Sequence, residues 1–216
     1  MNVSRITMSI AFGLALALAG CTHAGPPSGA DLDARLVTAG QLPTGWTVED
    51  RRIATPPGHA AGGAPDCLSV GAPKLFLDGS GATTGAIATV DYASGGNDWL
   101  GFEYLFSYSD DGAHAALAQL RSLANQCGQP MPVGSGATLK FTISSGPALG
   151  DESLAFHSTI TTPDGLSGNH EAIFIRSANV LLVVAAGPPR PDDSQASDDA
   201  LLTQLASATY AAYAKP

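Results

Sequence analysis

The chain has 216 residues, with 19 Asp and Glu against 10 Lys and Arg and a formal net charge of −9. That balance argues against nucleic acid, which is held chiefly through Lys and Arg on phosphates, and against peripheral docking on anionic lipid. Acidity also keeps an exposed protein soluble, so by itself it names no partner.

Met1 to Arg5 form a short n-region with one positive charge, followed by an apolar stretch from Ile6 to Gly20 rich in Ala and Leu. The stretch is short for a spanning helix, which needs roughly 20 apolar residues. It ends in Leu18-Ala19-Gly20-Cys21, with the small residues a signal peptidase requires before its cleavage point. This resembles the lipobox of bacterial lipoproteins. The resemblance implies diacylglyceryl attachment to the Cys21 sulfur, cleavage before Cys21 and acylation of the new amino terminus. Two or more acyl chains hold stably where one anchors only marginally. An ordinary secretory signal with a cysteine near its cleavage site is the alternative. The expected organisation is a signal peptide over 1–20, a Pro/Gly-rich flexible tether over 21–30 and a single domain over 31–216. The expected location is outside the cytoplasm, lipid-anchored to the outer face of the cell membrane.

With Cys21 carrying lipid, Cys67 and Cys127 remain. An even pair in an oxidising compartment reads as a disulfide, and closing a loop of that length stabilises by about 4 kcal/mol in the chain-entropy model. The alternative is two free thiols, one of them catalytic, but no Cys-x-x-Cys supports it.

In chain order, residues 31–40 read as a short helix that Asp31 caps and Gly40 stops. Trp46 to Asp50 is a short strand candidate, and residues 54–65 form a long Pro/Gly-rich loop. Residues 66–78 carry no clear pattern. Thr84 to Tyr92 alternates as a strand, and Ser94 to Asn97 is a turn. Gly101 to Tyr108 is a stronger strand, with Phe102, Tyr104, Phe106 and Tyr108 on one face at period two. Ser109-Asp110-Asp111 caps a helix to about Gln126, whose apolar stripe runs through Leu117, Leu120 and Leu123 to Cys127, with Gly128 as the stop. Strands follow over 138–144, 153–161, 169–176 and 180–187, the last two as a hairpin about Ser177-Ala178-Asn179. Acidic residues 192–199 open a last helix with Leu201, Leu205, Ala208 and Ala212 on its buried face. Short turns between consecutive strands do not suggest parallel crossovers. The fold class is therefore α+β: a mostly antiparallel sheet of about six strands with helices packed on it and one disulfide.

Several segments are familiar together: residues 36–46 (LVTAGQLPTGW), the aromatic strand leading to a helix that ends in Cys127, Gly150-Asp151-Glu152-Ser153, and Arg176-Ser177-Ala178-Asn179-Val180. They resemble actinobacterial cell-envelope lipoproteins related to the extracellular sensor domain of PknH-type receptor Ser/Thr kinases. The resemblance covers most of residues 31–214 as a loose pattern. It implies an extracytoplasmic, disulfide-stapled α+β domain with a cleft and a role in ligand sensing. The chain departs from the kinase members in lacking a kinase, a spanning helix and a second disulfide, so no ligand residue is carried over.

Catalytic chemistry has little purchase. No Gly-x-Ser-x-Gly is present. His157 or His170 could serve as a base oriented by Asp151 or Asp164, but a His on a strand is more commonly a surface residue. His170-Glu171 lacks the second His of a zinc helix, and Asp192-Asp193 and Asp198-Asp199 lack the spacing of a calcium loop. No metal or cofactor is expected. The aromatic strand is the best candidate ligand wall, with Tyr104, Phe106 and Tyr108 on it and Trp99 or Trp46 closing its rim; packing under helices would make the same face core. Arg51 and Arg52 could form a local basic pocket. The functional expectation is a non-catalytic module binding a small apolar or glycan ligand or an envelope partner. An envelope hydrolase acting on lipid, ester or glycan is the alternative.

Overall fold

Runs of period-two alternation become strands, and the turn residues between them become hairpins. The computed structural model describes residues 25–55, 67, 77, 79–94, 97–186 and 195–215. Its strands are β1 (Trp46–Ala54), β2 (Thr84–Ser94), β3 (Asn97–Ser107), β4 (Met131–Pro132), β5 (Thr138–Ser145), β6 (Glu152–Thr161), β7 (Ser167–Ser177) and β8 (Val180–Ala186). They form one eight-stranded sheet in the order β1-β2-β3-β8-β7-β6-β5-β4. All of its pairings are antiparallel.

The expectation of about six strands falls short at both edges. β1 runs on to Ala54, past the short candidate Trp46 to Asp50, because the run Glu49-Asp50-Arg51-Arg52 hides the alternation, and β4 is two residues long with a proline in it. One pairing is not between neighbours in sequence. β8 inserts beside β3, with Tyr104 opposite Val183 and Phe106 opposite Leu181, and so joins the first three strands to the last five.

Helices cover both faces. The helix α1 (Gly29–Arg35) and the last helix, α3 (Gln195–Tyr213), share one face. The helix α2 (Gly112–Cys127) lies on the other. Burial on both sides explains why β8 is apolar at every position, the pattern of a strand covered on both faces. In β3 the even residues Phe102, Tyr104 and Phe106 face α2, and the odd residues Trp99, Glu103 and Leu105 face α1 and α3.

Two helix details differ from the sequence reading. α1 begins at Gly29, inside the expected tether. Ser28 is its cap, accepting from the Asp31 N–H at 3.2 Å, while the Asp31 carboxylate accepts from the Ser28 N–H at 2.9 Å. Asp31 therefore completes a capping box as its third residue instead of starting the helix. In α3 the buried face is Leu202, Leu205, Ala206, Thr209 and Ala212, with Leu201 and Ala208 at its margin. The helix is rich in Ala, so its apolar stripe is poorly marked.

The Cys67–Cys127 disulfide forms, with Cα atoms 5.7 Å apart, and ties residue 67 to the end of α2. Cys21 and the proposed signal peptide lie outside the described residues. Among the described residues no helix is long and apolar enough to cross a membrane.

Candidate functional site

α3 packs chiefly on β8 and β7, leaving its face of β5 and β6 open. Strand register lines up polar residues on that open half. Thr142 lies opposite His157 and His157 opposite Glu171, one row across β5, β6 and β7; Thr159 faces Asn169 one step along. The His157 Nδ1 is 3.0 Å from the Glu171 carboxylate, and its Nε2 is 3.3 Å from the Thr159 hydroxyl, which donates to Asn169 Oδ1 at 3.0 Å. The Glu171 side chain is 8 % exposed and that of His157 39 %, so the carboxylate sits behind the imidazole and the ring faces outward. An oriented imidazole backed by a carboxylate has a defined hydrogen-bonding direction.

Beside this row, between it and the first turns of α3, lies a groove of about 720 Å³. Thr142, Ser144 and Ser145 of β5, the turn residues Gly146 and Pro147, His157 and Glu171 form one side. Asp199, Leu202 and Thr203 of α3 form the other. Its carboxylate lining groups are Glu171 and Asp199, His157 adds an imidazole, and no Lys or Arg is among the lining residues. Hydroxyls, carboxylates and an imidazole together accept and donate hydrogen bonds, while the carboxylates repel anions.

His157 is thus oriented by Glu171, not by either aspartate expected from the sequence. The Asp151 carboxylate accepts from the Ala178 N–H at 2.7 Å and pairs with Arg176 at 3.1 Å, fixing the β7–β8 hairpin. Asp164 accepts from the Thr162 hydroxyl within the turn after β6, which holds its carboxyl pKa below the ordinary carboxylate value. His170, opposite buried Ser158, is on the α2 side of the sheet, and burial lowers its basicity. Register pairing, which brings Glu171 to His157, cannot be read from either residue's own neighbourhood.

The residues expected to form an aromatic wall do not meet in one cleft. Tyr104, Phe106 and Tyr108 are buried beneath α2, and the Tyr108 hydroxyl is 2.6 Å from the Ser80 hydroxyl. Burial pushes that phenol well above its ordinary range. Trp46 and Trp99 are buried on the opposite face, packed edge-on with ring centroids 5.3 Å apart. The aromatic strand is core, and the tryptophans lie across the sheet from it. Arg51 and Arg52 do not make a free basic pocket either, because Arg51 binds the backbone and carboxylate of Asp33 and Arg52 binds Asp50.

A further buried acid escaped the sequence reading. Glu103 is fully buried on the α1/α3 face and accepts the Val37 N–H through both carboxylate oxygens, at 3.0 and 3.3 Å. Burial raises its pKa to about 8; the Val37 hydrogen bond and the nearby Arg51 charge oppose that shift in part. Between Phe102 and Tyr104 it reads as the solvent side of a half-buried strand. The unbroken apolar run of β8 was the available sign that this neighbourhood is covered on both faces. Among the described residues no three His, Cys, Asp or Glu side chains gather closely enough to hold a metal ion.

No family model matches the chain, and no curated protein does. Solved structures do. An uncharacterised protein of Mycobacterium smegmatis, the Rv0999 ortholog, aligns with a TM-score of 0.43 at 17 % identity over 79 % of this chain and 92 % of that one. The extracellular domain of PknH from Mycobacterium tuberculosis aligns with a TM-score of 0.53 at 14 % identity, over 85 % of this chain and 97 % of that domain. At that identity the likeness is one of architecture, and the chain shares the fold of the PknH extracellular domain.

Proposed function

We propose that the chain is a non-catalytic binding or sensing module, held outside the cytoplasm by lipid on Cys21, whose groove takes a neutral polyhydroxylated ligand such as a sugar ring of an envelope glycan. The observation that carries the ligand class is the row Thr142–His157–Glu171 in a groove with no Lys or Arg in its lining. Carboxylates, hydroxyls and an imidazole match the mixed donors and acceptors of sugar hydroxyls. The anionic lining disfavours phosphorylated or carboxylated ligands. The likeness to an extracellular domain and the Leu18-Ala19-Gly20-Cys21 sequence support the location.

The hydrolase alternative gains nothing from the His157 network. A Thr nucleophile would have to give its proton to the imidazole, and the Thr159 hydroxyl gives its proton to Asn169 instead. An apolar ligand loses its expected wall, because those aromatic rings are buried core.

A thermal-shift and calorimetric screen of neutral envelope oligosaccharides against their phosphorylated counterparts tests the reading. A specific ligand at one hundred times its dissociation constant stabilises by roughly 2.7 kcal/mol. Glu171→Gln and His157→Ala should each weaken neutral-sugar binding while the protein stays folded. Binding only of anionic or apolar compounds, or binding untouched by both substitutions, would overturn it.

A further inference from the structure

The two edges of the sheet are built differently. β1 carries Glu49, Asp50, Arg51 and Arg52 and a bulge between Val48 and Asp50, the devices that keep an edge strand from pairing with another chain. At the opposite edge β4 covers only Thr138 and Leu139 of β5. From Phe141 to Ser145 β5 has no strand on its outer side among the described residues, and that stretch has no charge, proline or bulge.

Two hydrogen bonds define which backbone groups face outward. The Ala137 carbonyl accepts from Val133 on the β4 side, and the Gly146 N–H donates to Ser153 on the β6 side. The N–H and C=O of one strand residue point the same way and alternate along the chain. Phe141, Ile143 and Ser145 therefore direct their backbone donors and acceptors outward. Space is open on both sides of this rib. The candidate groove borders it on one face, and a groove of about 540 Å³ between β5 and α2 borders it on the other.

We infer that this edge docks a second copy of the chain, β5 against β5 in antiparallel register about a two-fold axis through Ile143. The stretch is self-complementary in that register. Phe141 meets Ser145 of the second copy, and Thr142 meets its Ser144. The two Ile143 side chains, each packed against the core on the α2 side, extend one apolar contact across the axis. Lys140 falls opposite Gly146 of the second copy, so the nearest charge on the strand never faces its own copy. Each outward backbone group from Phe141 to Ser145 gains a partner. Shifting the axis one residue toward the start of β5 drives Ser145 against β4, and shifting it the other way brings in Pro147, so this register uses the free edge in full. The inference is independent of what the groove binds, although Thr142, Ser144 and Ser145 line that groove as well as the edge.

Sedimentation of the full chain in detergent, with single cysteines at the edge, tests it. The mass should rise from one copy to two as concentration rises toward millimolar, and Ile143→Lys, which sets two charges face to face on the axis, should weaken self-association at least tenfold. Mild oxidation of mixed Thr142→Cys and Ser144→Cys proteins should yield the 142–144 cross-linked peptide, because directly opposed residues of this type have Cα atoms about 4.5 Å apart. Either variant oxidised alone should yield far less. A single copy at every concentration, or a mixture no more cross-linked than its components, overturns the inference. Should Ile143→Lys fail to fold, the cysteine pattern alone decides.

Discussion

Glu103 makes a quantitative prediction. Its carboxyl has an ordinary pKa of 4.5, and burial raises it to about 8 in the folded chain. Between those values the folded chain holds a proton that the unfolded chain has released. The resulting stabilisation is complete below pH 4.5, declines as pH rises, and is lost once pH passes about 8. At about 1.4 kcal/mol per pH unit, the full span amounts to some 5 kcal/mol as an upper figure. Glu103→Gln removes the titration and keeps an amide oxygen to accept the Val37 N–H. Urea unfolding followed by the fluorescence of Trp46 and Trp99, on the same face as Glu103, measures stability from pH 5 to 9 in both proteins. The parent should lose several kcal/mol relative to the variant across that range. Taking the difference cancels His170, whose lowered pKa acts with the opposite sign in both proteins. Parallel stability curves would show that Glu103 does not titrate between the two states. Glu103→Ala is a useful companion, because it orphans the Val37 N–H and should cost about 1–3 kcal/mol at every pH.

Three further outcomes are expected. Denaturing thiol titration of the oxidised protein should find Cys67 and Cys127 blocked, and their reduction should lower stability by up to about 4 kcal/mol, the loop-closure entropy returned to the unfolded chain. Ser28→Ala should cost about 1 kcal/mol in thermal unfolding by removing the cap of α1, and Ser28→Asp should recover most of it; equal stability of all three proteins would deny the capping box. Cys21→Ser should abolish incorporation of labelled palmitate and release the chain from membranes, whereas retention of the variant would argue against the lipid anchor.

Local signals made much of this domain legible. Period-two alternation marked β2, β3 and β5, because a strand's side chains must alternate wherever its two faces differ, and the turn at Ser177-Ala178-Asn179 with the apolar run after it marked the β7–β8 hairpin. Leu117, Leu120 and Leu123 marked the stripe of α2, and the two cysteines besides Cys21 marked the staple. Where α1 begins was harder, since Ser28 and Asp31 are both good caps and only their reciprocal hydrogen bonds separate the cap from its third residue.

What tertiary structure alone decided is what each face meets. The spacing of Phe102, Tyr104 and Phe106 put them on one side of β3, but only the position of α2 made that side core. Glu103 between them is buried because α1 and α3 cover the other side. The groove has the same origin. His157 and Glu171 lie far enough apart in sequence that only strand register brings them to 3.0 Å, and only the limited reach of α3 leaves their half of the sheet open. Alternation along one strand is local geometry, set by the chain itself. Burial, register partners and open edges depend on which element arrives from elsewhere in the chain, and no short window of sequence contains that information.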